Sequence, residues 1–85
     1  MTEAQKNLLK CLARSEYRSG GGFDEPVWTQ EVMRDTGLGT TSFGGVVAGA
    51  VQAGLVKHCG EGRDSVIYFT QAGWDAWLSL SRENA

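Results

Sequence analysis

Proline is nearly absent from this sequence, occurring only at Pro26, and histidine and cysteine are almost as scarce. One proline beside twelve glycines makes the chain neither collagen-like nor a Pro/Gly linker. Cys11 and Cys59 are too few and too far apart for a disulfide scaffold. They form no CxxC pair, and His58 is the only histidine, so no four-ligand zinc site can be assembled within one chain. Two free thiols in a reducing compartment are the expectation, with a Cys11–Cys59 link in an oxidising setting as the alternative. Apolar runs are short, none approaching the roughly 20 residues of a membrane helix. The opening MTEAQKNLLK lacks a basic segment followed by an apolar stretch, so a cytoplasmic protein with no membrane partner is expected. An excess of positive charge is missing as well. Eight Lys and Arg stand against ten Asp and Glu, a formal −2 that disfavours a basic nucleic-acid coat or a polybasic anchor.

What remains is enough to fold. Apolar residues make up 41% of the chain and include three tryptophans, in 85 residues that allow one domain, 1–85. Residues 3–18 read as a helix, with Ala4, Leu8, Cys11, Leu12 and Ser15 on one side and Lys6, Lys10, Arg14 and Arg18 on the other. Gly20-Gly21-Gly22 stops it, and Phe23 to Pro26 continues in an extended or turn conformation. Val27-Trp28-Thr29 fits a very short strand before a second helix with Thr29 as N-cap, Val32 and Met33 buried, and Gly37 as its stop. Gly39 to Ser42 reads as a turn, and a third helix begins near Phe43. There Phe43, Val46, Val47 and Ala50 share one side, with Val51 at its edge and Gly45, Ala48, Gly49 and Gln52 opposite. Gly54 ends it. Residues 55–59 and 65–70 then form strands around a polar hairpin tip at 60–64, and Thr70 caps a last helix carrying Trp74, Trp77 and Leu78.

This order resembles the winged helix-turn-helix, and among its members the MarR-like winged helices of bacterial regulators. Thr29-Gln30-Glu31-Val32 through Thr36-Gly37-Leu38 is similar to the first helix and turn of that motif. Ser42-Phe43 through Ala53-Gly54-Leu55-Val56 is similar to its recognition helix and the Ala-Gly-Leu-Val that closes it. Phe69-Thr70-Gln71-Ala72-Gly73 resembles the Leu-Thr-x-x-Gly closure after the wing, with Phe in place of Leu. The resemblance covers residues 4–80. It implies an α+β fold with a three-helix core, a two-stranded wing and a C-terminal helix. It also implies a non-enzymatic DNA-binding regulator with no cofactor, whose third helix enters the major groove of double-stranded DNA. Groove contacts would fall on Thr40, Thr41, Ser42, Gly45, Ala48, Gly49 and Gln52, and wing contacts on Lys57, His58 and Arg63.

One feature departs from that pattern. No charged residue lies between Leu38 and Val56, where a DNA-reading helix usually offers Arg or Lys to guanine and phosphate. Net charge is +2 over residues 1–19, −3 over 20–37, +1 over 38–59 and −2 over 60–85. Gly44, Gly45 and Gly49 cost the third helix about 3 kcal/mol against alanine, and such a smooth ridge suits close approach by a phosphate chain, a partner helix or a second subunit. A second reading therefore stands beside the first: a winged-helix interaction module whose third helix and acidic surface, with Asp24, Glu25, Glu31 and Asp35, meet another protein. In the first reading the protein acts as a homodimer through its first and last helices, because one monomer has too few cations to hold DNA alone. His58 and Cys59, adjacent on a strand, point to opposite faces and lack a third orienting group for catalysis. Trp28, Trp74 and Trp77 are expected as core or dimer contacts rather than stacking platforms. Gly20-Gly21-Gly22 is no phosphate loop, since neither Lys-Ser/Thr nor a preceding strand accompanies it.

Overall fold

A capping box opens the first helix, α1 (Glu3–Ala13): Gln5 N donates to Thr2 Oγ1 at 3.1 Å, and Thr2 N donates to Gln5 Oε1 at 2.9 Å. The structure, a computed structural model, describes residues 1–20 and 22–83. After α1 follow β1 (Val27–Trp28), α2 (Thr29–Thr36), α3 (Thr40–Gln52), β2 (Val56–Cys59), a single 3-10 turn (Gly62–Asp64), β3 (Val66–Phe69) and α4 (Gln71–Glu83). The three strands form one antiparallel sheet in the order β1-β3-β2, with Val27 opposite Ile67 and His58 opposite the same residue from the other side. Leu8, Leu9, Leu12, Val27, Val32, Phe43, Val47, Ala50, Val56, Ile67 and Phe69 form the buried core, drawn from α1, α2, α3 and the inner face of the sheet.

Two joints hold this arrangement, and both rest on glycine. At the end of α3, Leu55 N donates to Ala50 O (2.9 Å) and Gly54 N to Val51 O (3.0 Å), with Gly54 at φ +75°. This paired bonding satisfies the last carbonyls of the helix and turns the chain directly into β2. At the start of α4, Gly73 N donates to Thr70 Oγ1 (3.0 Å), Trp74 N to Thr70 O (2.9 Å) and Thr70 N to Leu55 O (3.1 Å). Thr70 thereby caps α4, as expected, and also ties it to the α3–β2 joint. Gly73 packs so closely there that a Cβ would lie 1.7 Å from Leu55 O.

Several local expectations are corrected. The first helix stops at Ala13 rather than reaching residue 18, because Arg18 finds partners outside it. Its guanidinium donates to Ala13 O (3.1 Å) and Gly22 O (2.9 Å) and lies over the rings of Trp74 (5.0 Å) and Phe69 (5.7 Å). Leu9, which the three- and four-residue spacing passed over, is fully buried, whereas Cys11 is only half-buried. Thr29 is not an N-cap: Trp28 occupies that position, and Thr29 is the first helical residue, with its N–H donating to Ser65 O (3.0 Å). The β1–β3 pairing takes the chain into the helix one residue early. Likewise α3 begins at Thr40 with Gly39 as its N-cap, so the expected turn at Thr40–Ser42 is the first turn of the helix. Trp28 is 48% exposed on the outer face of the sheet, not in the core. Trp74 and Trp77 are half-buried against the core, with Trp74 edge-on to Phe69 at 5.2 Å.

A Cβ on Gly44 would meet nothing within 4 Å. Gly44→Ala is therefore expected to stabilise the domain by about 0.5–1 kcal/mol, read as a rise of a few degrees in Tm by circular dichroism.

Candidate nucleic-acid interface

Residues spaced four, three and four apart fall on one line of a helix. Thr41, Gly45, Ala48 and Gln52 have that spacing, and all four are exposed on the side of α3 away from Phe43, Val47 and Ala50. Gly45 has open space where its Cβ would be, so no other element covers the middle of this row. On the flank toward the wing, Thr40, Gly44, Ala48, Val51 and Gln52 form one wall of a groove of about 630 Å³. Gln30 and Met33 of α2 form a second wall, and His58, Gly62 and Ser65 close it from the hairpin. The Thr29–Ser65 hydrogen bond explains how α2 comes to lie beside the hairpin.

Not every residue expected in the site joins it. Thr40, Ala48, Gln52 and His58 share the groove, and Thr41 and Gly45 lie on the open row. Gly49 turns toward α1 instead, where its Cβ would sit 3.2 Å from Gln5 Nε2. The 100° step of the helix places Ser42 on that same flank, although its side chain is exposed. Lys57 and Arg63 are exposed on the hairpin and form no ion pair among the described residues. Strand alternation separates Lys57 from His58, so Lys57 shares the outer sheet face with Cys59, Tyr68 and Trp28. On that face Cys59 Sγ and Tyr68 Oη are 3.6 Å apart, and this hydrogen bond, with the charge of the thiolate, raises the phenol above its ordinary pKa.

The α2 contribution, Gln30 and Met33, was missed by sequence reasoning. Its available signal was the two-residue strand, which implied that whatever follows β1 must start beside the hairpin. Val51, placed at the edge of the buried side, is 42% exposed and lines the groove.

Among the described residues, the groove lining contains no Lys, Arg, Asp or Glu. The nearest elements contribute Lys57 and Arg63 on the hairpin and Arg34 on α2, the last engaged by Glu31 at 3.1 Å. The first turn of α3 adds a partial positive charge. Gly39 provides no side-chain cap, leaving first-turn N–H groups open beside the hydroxyls of Thr40, Thr41 and Ser42. The acidic stretch at 24–35 is less available than its sequence implied. Glu25 accepts hydrogen bonds from Ser19 N (2.7 Å) and Gly20 N (3.1 Å), bracing the glycine loop, and Glu31 holds Arg34. Among the described residues, no group of His, Cys, Asp and Glu could hold a metal ion, and no helix is long and apolar enough to cross a membrane.

No family model matches the sequence, and neither does any curated protein. Solved structures do. A protein from Ralstonia eutropha JMP134, provisionally described as DNA-binding, is 18% identical with a TM-score of 0.73, over 94% of this chain and 96% of that one. RosR of H. salinarum is 19% identical with a TM-score of 0.75, over 99% of this chain and 74% of its own. The PcaV transcriptional regulator of Streptomyces coelicolor, solved with its natural ligand, is 19% identical with a TM-score of 0.72, over 99% of this chain and 58% of its own. At these identities the likeness concerns shape alone, and the shape agrees with the order of elements along the chain: it has a winged helix-turn-helix fold.

Proposed function

We propose that this chain is a DNA-binding transcriptional regulator that reads duplex DNA with α3 and steadies itself with the hairpin. The observation that carries the reading is the open row Thr41, Gly45, Ala48 and Gln52, exposed beside a hairpin whose cations, Lys57 and Arg63, form no ion pair among the described residues. In this reading the row lies in the major groove. The uncapped first turn of α3 and the hydroxyls of Thr40, Thr41 and Ser42 hold phosphate oxygens. Arg63, at the tip of the wing, reaches the flanking backbone, and Lys57 and His58 support it from β2. The shape shared with a transcriptional regulator and with a protein described as DNA-binding supports this assignment.

So few cations per chain favour a paired arrangement. Two copies joined through α1 and α4, where Trp77 and Leu80 remain half-buried, would double the phosphate contacts on one duplex. The competing reading, a protein partner held by an acidic surface, has lost part of its basis because Glu25 and Glu31 are engaged within the chain.

Arg63→Ala is expected to weaken binding to unrelated duplexes to a similar degree and to reduce the salt slope by about 1. Fluorescence anisotropy over a range of salt concentrations measures both. Unchanged affinity in Arg63→Ala, together with lost affinity in Arg14→Ala, would move the interface to α1.

A further inference from the structure

The exposed row of α3 restricts which base edges it can read. Guanine presents two acceptors in the major groove, and their usual partners are the paired donors of Arg or of Lys. The row has neither, and no Asp or Glu is present to accept from the cytosine amino group. What it does have matches A·T pairs. The methyl groups of Thr41 and Ala48 are of the kind that contact the thymine methyl, and the Gln52 amide can donate to adenine N7 while accepting from N6. Gln52 is exposed and its side chain makes no hydrogen bond among the described residues, so the side-chain amide is available. Gly45, between the two methyl-bearing residues, lets the helix backbone approach the floor of the groove. Thr41 and Gln52 are separated by about 16 Å along the helix axis, the rise of about five base pairs.

We infer that α3 selects A·T pairs in the major groove, with Thr41 and Ala48 reading thymine methyls and Gln52 reading adenine. This inference rests on the DNA-binding reading above and adds the base class to it. A preference for A·T arising from the wing in the minor groove is a separate matter. The thymine methyl and adenine N7 both lie in the major groove, so altering either leaves the minor-groove edge unchanged.

The experiment uses four duplexes of about two helical turns and the full chain at low ionic strength. They are alternating dA·dT, the same duplex with deoxyuridine for thymidine, the same with 7-deazaadenine for adenine, and alternating dG·dC. The dA·dT duplex is expected to bind tightest. Removing the methyls should weaken binding about fourfold for each methyl contacted. Removing N7 should weaken it about fivefold or more, a loss that disappears in Gln52→Ala. Gln52→Ala leaves the core untouched, so its fold is not at risk. Equal affinity for all four duplexes, tighter binding of dG·dC, or a dA·dT preference untouched by both modifications would overturn the inference while leaving DNA binding standing. Failure to bind any of the four would overturn the DNA-binding reading itself.

Discussion

Gly73→Ala is expected to unfold most of the protein, despite adding a single methyl group. The new Cβ would stand 1.7 Å from Leu55 O, 2.7 Å from Leu55 C and 3.1 Å from Leu55 Cα. All three are backbone atoms, so no side chain can rotate away. Leu55 cannot retreat easily either, because its N–H is held by Ala50 O and its carbonyl receives Thr70 N. Relief requires lifting the start of α4, which would break the Thr70 cap and withdraw Trp74 from Phe69 and Arg18. Overpacking typically costs about 1–3 kcal/mol. A clash between two backbone segments belongs above that, at about 4 kcal/mol or more, a large share of the roughly 5–15 kcal/mol that holds a domain together. Urea denaturation followed by circular dichroism measures it. A wild-type midpoint for Gly73→Ala would mean that α4 does not sit against the α3–β2 joint as described. Gly44→Ala serves as the control: the same substitution, in open space, should move the midpoint the other way.

Ala48→Glu is expected to abolish DNA binding while leaving the fold intact. Ala48 is exposed at the centre of the α3 row, and glutamate is a good helix former, so the substitution asks little of the structure. Its carboxylate would face a polyanion with no nearby lysine or arginine on α3 to offset it. Juxtaposed like charges cost several kcal/mol at an interface, which corresponds to a loss of affinity of about 100-fold or more. Ala48→Lys at the same position should do the reverse, tightening binding to every duplex and steepening the salt slope by about 1. Anisotropy titrations of the pair, with circular dichroism to confirm helicity, provide the check. If Ala48→Glu bound as the wild type does, α3 would not be the reading helix.

The parts of the fold that could be read in advance are those built from local hydrogen bonds in residue-specific conformations. Gly37 and Gly54 take positive φ at the ends of α2 and α3, and Thr70 caps α4, because each motif is complete within a few residues. The capping box of Thr2 and Gln5 is equally local and carries a visible signature, Thr-x-x-Gln, that helical periodicity alone overlooks. Features that depend on distant partners could not be read this way. Arg18 leaves the helical pattern because two aromatic rings from β3 and α4 and the carbonyls of Ala13 and Gly22 offer it better contacts than solvent. Thr29 enters the helix early because strand pairing places Ser65 O against its N–H.

The candidate site divides along the same line. The row Thr41, Gly45, Ala48 and Gln52 follows from helical spacing, whereas the inward turn of Gly49 depends on where α1 crosses α3. Gln30 and Met33 reach the groove only because the sheet sets α2 beside the hairpin. The lack of charge on α3 was visible from the start. The structure narrows its meaning: cations are absent from the exposed row of α3, while Lys57 and Arg63 on the neighbouring hairpin form no ion pair among the described residues.

The central claim, that α3 and the hairpin bind duplex DNA, is tested most directly by measuring affinity for a mixed-sequence duplex as a function of salt. Neutralising a phosphate contributes a slope of about −0.9 in log affinity against log salt. With the hairpin cations Lys57 and Arg63 as the phosphate contacts, the expected slope is about −2 for one protomer and about −4 for a pair on one duplex. Absence of binding even at low ionic strength, or an affinity indifferent to salt, would contradict it.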